Sequence, residues 1–134
     1  MKHVAAIRLA AIAGTALAAS SMAQTTATWL TATSGNWSDP TRWSTNPQFP
    51  NNSPGNRFNV FITPAGPAYD VSLDVPISID DFTLNSASAT LRLTGANSLT
   101  VNQAFTFAAS RIEGTSYTGT MRVKGHSTFQ GIQF

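Results

Sequence analysis

Few side chains in this sequence can perform acid-base or metal chemistry. The chain has two histidines, six acidic residues and no cysteine. One histidine, His126, lies outside the N-terminal segment, and Glu113 is the carboxylate nearest to it in sequence. General acid-base catalysis and metal binding both require partner groups close by. We therefore expect His126 to be a surface residue.

Asp80 and Asp81 form the one adjacent acidic pair. Neighbours on a strand point to opposite faces, so these carboxylates would diverge and could not share a proton or flank a glycosidic bond. We interpret them as two solvated acids in a turn, and a calcium site completed by Asp74 is the alternative. No Gly-x-Ser-x-Gly motif presents a serine nucleophile. We predict no catalytic residue, no metal site and no cofactor, and hence that the protein is not an enzyme.

All three tryptophans, Trp29, Trp37 and Trp43, lie in a segment rich in Asn, Ser, Thr and Pro. Each aromatic ring can bury on the order of 150 to 250 Å². One interpretation is that the rings fill the core as a plug. The other is that exposed ring faces stack on sugar rings while nearby Asn and Asp side chains hydrogen-bond the hydroxyls. On the second interpretation Trp29, Trp37 and Trp43 are the ligand-binding residues.

The first residues have the pattern of a secretory signal peptide. Lys2 and Arg8 provide the positive end, and an alanine-rich apolar run follows. Ser21 and Ala23 occupy the −3 and −1 positions of a signal peptidase site, so we predict that residues 1–23 are removed. The run is too short and too rich in alanine for a membrane anchor. We expect export through the Sec pathway, with the export machinery and signal peptidase as partners, to the cell surface or medium, with the periplasm as the alternative.

Removal of the signal peptide changes the charge of the chain. Without Lys2 and Arg8, six of the eight basic residues remain against six acidic ones, so the mature net charge is zero. A nucleic-acid partner requires a concentrated basic face, which the sequence does not provide. Cationic attraction to a membrane is equally unsupported. The absence of cysteine excludes a disulfide framework.

Short β-strands must position these residues. From Tyr69 to Phe107, apolar residues alternate with small polar ones, as in strands with one buried face. Sequences typical of turns separate these short alternating segments, which indicates an all-β fold. The alternating pairs are Val71/Leu73, Ile77/Ile79, Phe82/Leu84, Leu91/Leu93, Leu99/Val101 and Phe105/Phe107.

Similar pairs recur at a nearly constant interval, which is typical of a β-solenoid. Each coil would carry about three strands, and equivalent strands would stack in parallel about 4.8 Å apart. A small antiparallel β-sandwich with accidental spacing is the alternative. The first series, with equal intervals, is Ile77, Leu99 and Met121, and the second, with slightly longer intervals, is Phe82, Phe105 and Phe129. Residues expected to form outward polar ladders are Ser78, Thr83, Arg92, Thr100, Thr106 and Arg122.

These patterns divide the mature chain into two parts. Residues 24–68 are predicted to be a Trp-rich capping segment, because a solenoid end exposes an unpaired edge and an open core. Phe58 to Ile62 is expected to start the sheet. Residues 69–134 are predicted to form about three solenoid coils, which is near the minimum for this architecture. We therefore expect a fragment or a truncated gene product.

Residues 29–107 carry a familiar set of motifs: Trp29, Gly35-Asn36-Trp37, Asp39-Pro40, Trp43, Pro50, Val60-Phe61-Ile62, Val71-Ser-Leu73-Asp74, Phe82-Thr-Leu84, Ala89-Thr-Leu91-Arg-Leu93 and Ser98-Leu99-Thr-Val101. This pattern resembles the N-terminal part of bacterial secreted and surface proteins with parallel β-helix repeats, such as autotransporter passenger domains of Gram-negative bacteria and extracellular proteins with a Pro-Glu-Pro sorting signal. The resemblance implies a right-handed parallel β-helix, in agreement with the general bias of parallel crossovers. It implies no catalytic residues, since these families share none.

The expected function is therefore non-enzymatic, structural or adhesive, at the cell surface or outside the cell. Surface polysaccharides or other cell-surface components are the expected partners. A small carbohydrate-binding β-domain that uses exposed tryptophans is the first alternative. A fragment of a polysaccharide-lyase-like β-helix is the second, although such sites need acids and bases on one ladder of several coils.

Overall fold

The computed structural model describes residues 23–114 and 119–130. Apart from Ala23, the predicted signal peptide lies outside these residues. Within them, no helix is long and apolar enough to cross a membrane. The strands are β1 Gln24–Thr28, β2 Gly35–Asn36, β3 Arg57–Ile62, β4 Tyr69–Leu73, β5 Ile77–Ile79, β6 Asp81–Asn85, β7 Ala89–Leu93, β8 Ser98–Val101, β9 Phe105–Ala108, β10 Arg111–Gly114, β11 Thr120–Val123 and β12 Ser127–Gln130, and a 3-10 turn spans Pro40–Arg42.

The strands form three parallel sheets that wind into a β-solenoid. The first sheet has the order β1-β3-β6-β9-β12, the second β2-β4-β7-β10 and the third β5-β8-β11. Every pairing between these strands is parallel. The prediction of a parallel β-solenoid is confirmed, and the alternative of an antiparallel sandwich is wrong.

Three consecutive coils each contribute one strand to every sheet. They are β4-β5-β6, β7-β8-β9 and β10-β11-β12. Ile77 lies beside Leu99, and Leu99 beside Met121, so the interval of the first predicted series is the coil repeat in the third sheet. The predicted stacking of Phe82 on Phe105 is likewise observed, in the first sheet.

The last step of the second series is different from the prediction. Phe129 lies beside Phe107 and not beside Phe105. Phe105 and Phe107 are two positions apart, so they lie on the same face of a strand, and the sequence pattern alone does not distinguish them as partners. The last coil repeat in the first sheet is therefore slightly shorter than the one before it.

The alternation places apolar side chains inside and polar ones outside. β4 and β7 each bury their first, third and fifth residues and leave the others partly exposed. The interior is filled mainly by Val, Ile, Leu and Phe side chains, many of them fully buried. The predicted outward ladders are confirmed, since their residues Ser78, Thr83, Arg92, Thr100, Thr106 and Arg122 are all partly or fully exposed.

The predicted capping segment also contributes strands. β1 pairs with β3, and β2 pairs with β4, so residues 24–68 extend two of the three sheets. The expectation that the strand at Phe58 starts the sheet is therefore wrong, because β1 lies beyond it. β1 has one buried apolar residue, Ala27, and so lacks the alternation that marks the later strands.

The two ends of the solenoid differ. Beside β1 and β2, three tryptophans close the core. At the opposite end, the outer edges of β10, β11 and β12 pair with no other strand in the described part of the chain. Phe129 is 57% exposed there, and Ile112, Met121 and Val123 are only partly buried. This end presents apolar side chains and unpaired strand edges together.

Candidate functional site

The structure buries all three candidate ligand-binding tryptophans. Trp29 is 1% exposed, and Trp37 and Trp43 are fully buried. Trp43 lies at the centre, with its ring 4.9 Å from each of the other two rings. Each indole N–H donates to a backbone oxygen: Trp29 to Thr33, Trp37 to Pro50 at 2.9 Å and Trp43 to Trp37 at 2.8 Å.

The tryptophans therefore form a plug and not an exposed platform. Stacking on a sugar requires an accessible ring face, and these ring faces contact protein. The aromatic packing continues along the core, since Trp37 lies 5.8 Å from Phe82, which in turn lies 5.5 Å from Phe105. Of the two interpretations of Trp29, Trp37 and Trp43, the packing agrees with the plug.

A polar groove lies at one corner of the solenoid, where the strands of the third sheet lead into those of the first sheet. Its volume is about 800 Å³, and its walls come from the cap and from two successive coils. The side chains that line it are mostly amides, hydroxyls and one ion pair. They include Gln24, Asn52, Arg57, Asp80, Asn102 and Gln103. We call this feature the corner groove.

Asp80 is the centre of the corner groove. Its side chain is 1% exposed and forms a two-point ion pair with Arg57, in which Nε lies 2.8 Å from Oδ2 and Nη2 contacts Oδ1. Gln24 Nε2 and Asn52 Nδ2 each donate to the same carboxylate at 2.9 Å. Both carboxylate oxygens therefore accept two hydrogen bonds each.

These contacts decide the charge of the carboxyl group. Burial by itself raises the pKa of Asp80, but hydrogen bonds from Arg57, Gln24 and Asn52 outweigh it and lower the pKa below its ordinary value. The same ion pair raises the pKa of Arg57. Asp80 is thus ionised and fully engaged, which makes it a fixed anchor and unsuitable as a general base.

The interpretation of Asp80 and Asp81 as two solvated acids is correct for one of them only. The side chains diverge, as expected: Asp81 is partly exposed and accepts from the Ala104 N–H at 3.0 Å, whereas Asp80 is buried. Asp80 is the single residue between β5 and β6, so the corner itself places its side chain against those of Arg57, Gln24 and Asn52. The turn signal in the sequence locates the corner but does not reveal this orientation.

Asparagines line the same corner of neighbouring coils. Asn52 donates to Asp80 and accepts from the Phe58 N–H, and Asn102 donates to Ser78 Oγ at 3.0 Å and to the Ile79 carbonyl at 2.9 Å. Asn102 also accepts from Lys124 Nζ at 3.0 Å. The side-chain amides of Asn52 and Asn102 therefore connect the corners of successive coils by hydrogen bonds.

An ion-pair ladder crosses the outer face of β4, β7 and β10, and the sequence analysis missed it. Arg92 bridges Asp70 at 2.8 Å and Glu113 at 2.7 Å, and Arg111 lies 3.2 Å from Glu113. The sequence analysis placed Arg92 in an outward ladder without these partners, because they lie on the neighbouring coils and meet Arg92 only once the coil register is known. The side chains of Asp70, Arg92 and Glu113 are about one-third exposed, so the ladder is a solvated surface network.

The remaining chemical candidates do not converge. His126 is exposed, as expected. Asp74, the third member of the calcium alternative, accepts hydrogen bonds from Ser38. Within residues 23–114 and 119–130, no group of three or more His, Asp or Glu side chains is arranged to hold a metal ion. The corner groove is the feature best suited to bind a ligand, and its amides and guanidinium suit hydrogen bonding more than bond cleavage.

Comparison of the chain with protein-family models, with curated proteins and with solved structures gave no match.

Proposed function

We propose that the protein is an exported, non-enzymatic β-solenoid with a structural or adhesive role at the cell surface or outside the cell. The observation that carries this proposal is the repetition of small polar residues on the outer faces. Thr83, Thr106 and Thr128 lie side by side on three successive strands of the first sheet. Hydroxyls repeated about every 4.8 Å on a rigid sheet suit many weak contacts with an extended partner. Affinity then depends on the number of copies presented.

The difference between the two ends supports the structural part of the proposal. The tryptophan plug closes one end, while the other has three strand edges without partners in the described residues and the exposed ring of Phe129. Such an end is suited to another β-coil, which would pair with β10, β11 and β12 and cover Phe129. We propose that additional solenoid coils occupy it.

Export is tested by cell fractionation and by the mass of the fractionated protein. We expect the protein in the surface, medium or periplasmic fraction with Gln24 as its first residue. Ala23→Phe is expected to block cleavage, because signal peptidase requires a small residue at this position, whereas Met22→Phe is the matched control at a tolerant position. Retention in the cytoplasm with residues 1–23 intact would exclude export.

Adhesion is tested with beads that carry the protein at low and high density, incubated with bacterial cells and with purified surface polysaccharide. We expect attachment to rise steeply with coating density, since each contact is weak. No attachment at any density would contradict an adhesive role. The appearance of new sugar ends in the polysaccharide would contradict the non-enzymatic assignment and favour the lyase alternative.

A further inference from the structure

We propose that the corner groove binds a neutral, hydroxyl-rich ligand, namely a short segment of an uncharged polysaccharide. The inference deepens the proposed adhesive function and rests on it for the source of the glycan. It moves the binding site away from the buried tryptophans. It depends on the shape, the unused hydrogen-bonding groups and the charge balance of the corner groove.

The shape of the corner groove is appropriate for such a segment. Its volume of about 800 Å³ lies within the range common for ligand sites. It follows the coil stacking direction, since Asn52, Asp80 and Asn102 occupy equivalent corners of successive coils. An extended chain of sugar units would therefore meet the same kind of corner more than once.

Unused polar groups point to a ligand with hydroxyls. Nε and Nη2 of Arg57 hold Asp80, whereas its Nη1 has no hydrogen-bond partner within the described part of the chain. The side-chain amide of Gln103 also has no partner there and is exposed on the wall of the corner groove. Together they offer donors and one acceptor, and a hydroxyl group can donate and accept at once.

The charge balance excludes strong selection for an ionic ligand. The positive charge of Arg57 is paired with Asp80, and the carboxylate has no free lone pair to attract a cation. Lys124, on the next corner, is not part of the lining of the corner groove, and its ammonium group donates to Asn102. An anionic sugar therefore gains little over a neutral one, since Arg57, the cation in the lining of the corner groove, is already paired with Asp80.

The ion pair between Asp80 and Arg57 also makes the wall of the corner groove rigid. Asp80 fixes Arg57, Gln24 and Asn52 in one arrangement before any ligand arrives. Side chains that are already ordered lose little conformational entropy on binding, which favours measurable affinity from few contacts. Asp80 is thus a positioning residue, whereas Arg57 and Gln103 would contact the ligand.

The test is titration calorimetry with cellotetraose, maltotetraose and mannotetraose as neutral probes and tetragalacturonate as the acidic probe. The protein is purified from whichever fraction contains it, so failure of export does not affect the result. We expect at least one neutral probe to bind, and to bind at least as tightly as tetragalacturonate. Gln103→Ala should weaken binding about three- to tenfold, because the ligand loses one hydrogen bond.

Gln130→Ala is the matched control, because Gln130 is an exposed glutamine at the far end of β12, away from the corner that leads into that strand. It should leave the affinity unchanged, and circular dichroism should show both variants folded. Binding of none of the neutral probes, preference for tetragalacturonate or equal effects of the two variants would overturn the proposal. Density-dependent bead adhesion without neutral-probe binding would reject the corner groove as the site while leaving the adhesive function intact.

Discussion

At the scale of single residues, Asp80 shows how position within a coil changes the role of a side chain. It lies next to Asp81 in sequence, yet one carboxylate is buried in an ion pair and the other is partly exposed. The difference arises because Asp80 is the corner residue between two strands of different sheets. Its backbone also joins the coils, since its N–H donates to Phe58 and its carbonyl accepts from Gln103, both at 2.9 Å.

Replacement of this carboxylate should destabilise the fold. In Asp80→Asn one carboxylate oxygen becomes an amide nitrogen, which faces a donor of Arg57 and the donor of either Gln24 or Asn52, so two hydrogen bonds are lost. The Arg57 side chain is 38% exposed and water can solvate it, so we expect the free energy of unfolding to fall by about 1–3 kcal/mol, less than for a fully buried pair. Urea denaturation measures this change. Asp81→Asn is the control and should have a smaller effect, since its amide oxygen can still accept from Ala104.

The same carboxylate predicts a pH dependence. The pKa of Asp80 is lower in the folded protein than its ordinary value of 3.8, so its contribution to stability is complete above that pH. As the pH falls from 3.8 through the folded-state pKa, the contribution is lost. The stability difference between wild type and Asp80→Asn should therefore be constant from about pH 7 to about pH 5 and shrink on further acidification. Urea denaturation at each pH tests this, and a difference that grows on acidification would contradict it.

At the scale of elements, the cap is packed around one central ring. Trp43 contacts both other tryptophans and donates its N–H to Trp37. Trp43→Ala would leave a cavity between them, and we expect the free energy of unfolding to fall by about 3–5 kcal/mol. Leu30→Ala is the control, since Leu30 is 53% exposed and its loss should cost less than about 0.5 kcal/mol. Chemical denaturation compares the two, and similar losses would show that the plug is not a source of stability.

The corner before β12 depends on a glycine. A Cβ on Gly125 would lie 1.7 Å from the carbonyl oxygen of Gln103, so any larger residue must push the turn away from the coil beneath. We expect Gly125→Ala to lower the free energy of unfolding by about 1–3 kcal/mol and to weaken the pairing of β12. Gly95→Asn is the control, because its position is open and asparagine tolerates a positive φ. Denaturation with hydrogen exchange of β12 amides measures both effects.

The sequence predicts strands where alternation is strong and fails where an element has little of it. The strands from β4 to β9 bury two or more apolar residues each, and the periodic pattern identified them and their stacking. β2 has two residues and no buried one, so it produces no signal. The candidate site was harder to predict from the sequence than the strands were. The burial of the tryptophans and the lining of the corner groove both depend on which residues meet across coils. Such contacts follow from the register, and local periodicity determines the register only approximately.

At the scale of the whole molecule, stability should vary along the solenoid axis. Each coil contacts mainly its neighbours, so the molecule behaves as a nearly one-dimensional stack. The last coil has a neighbour on one side only among the described residues, and its apolar side chains are partly exposed. Without a further coil on this end, we expect amide hydrogen exchange to be fastest in β10, β11 and β12 and slowest in the central strands. Equal protection in all coils would instead indicate that the open end is covered in solution.

The coil repeat also has a mechanical consequence. Adjacent coils are only about 4.8 Å apart along the axis, yet each contains a chain segment of roughly 20 residues. A pulled chain spans at most about 3.5 Å per residue, so peeling one coil from the open end releases roughly 70 Å of length. In a domain attached at both ends, the length that one coil contributes along the axis would therefore grow about fifteenfold when that coil peels away under load. The plugged end, held by its tryptophans, would be the last part to yield.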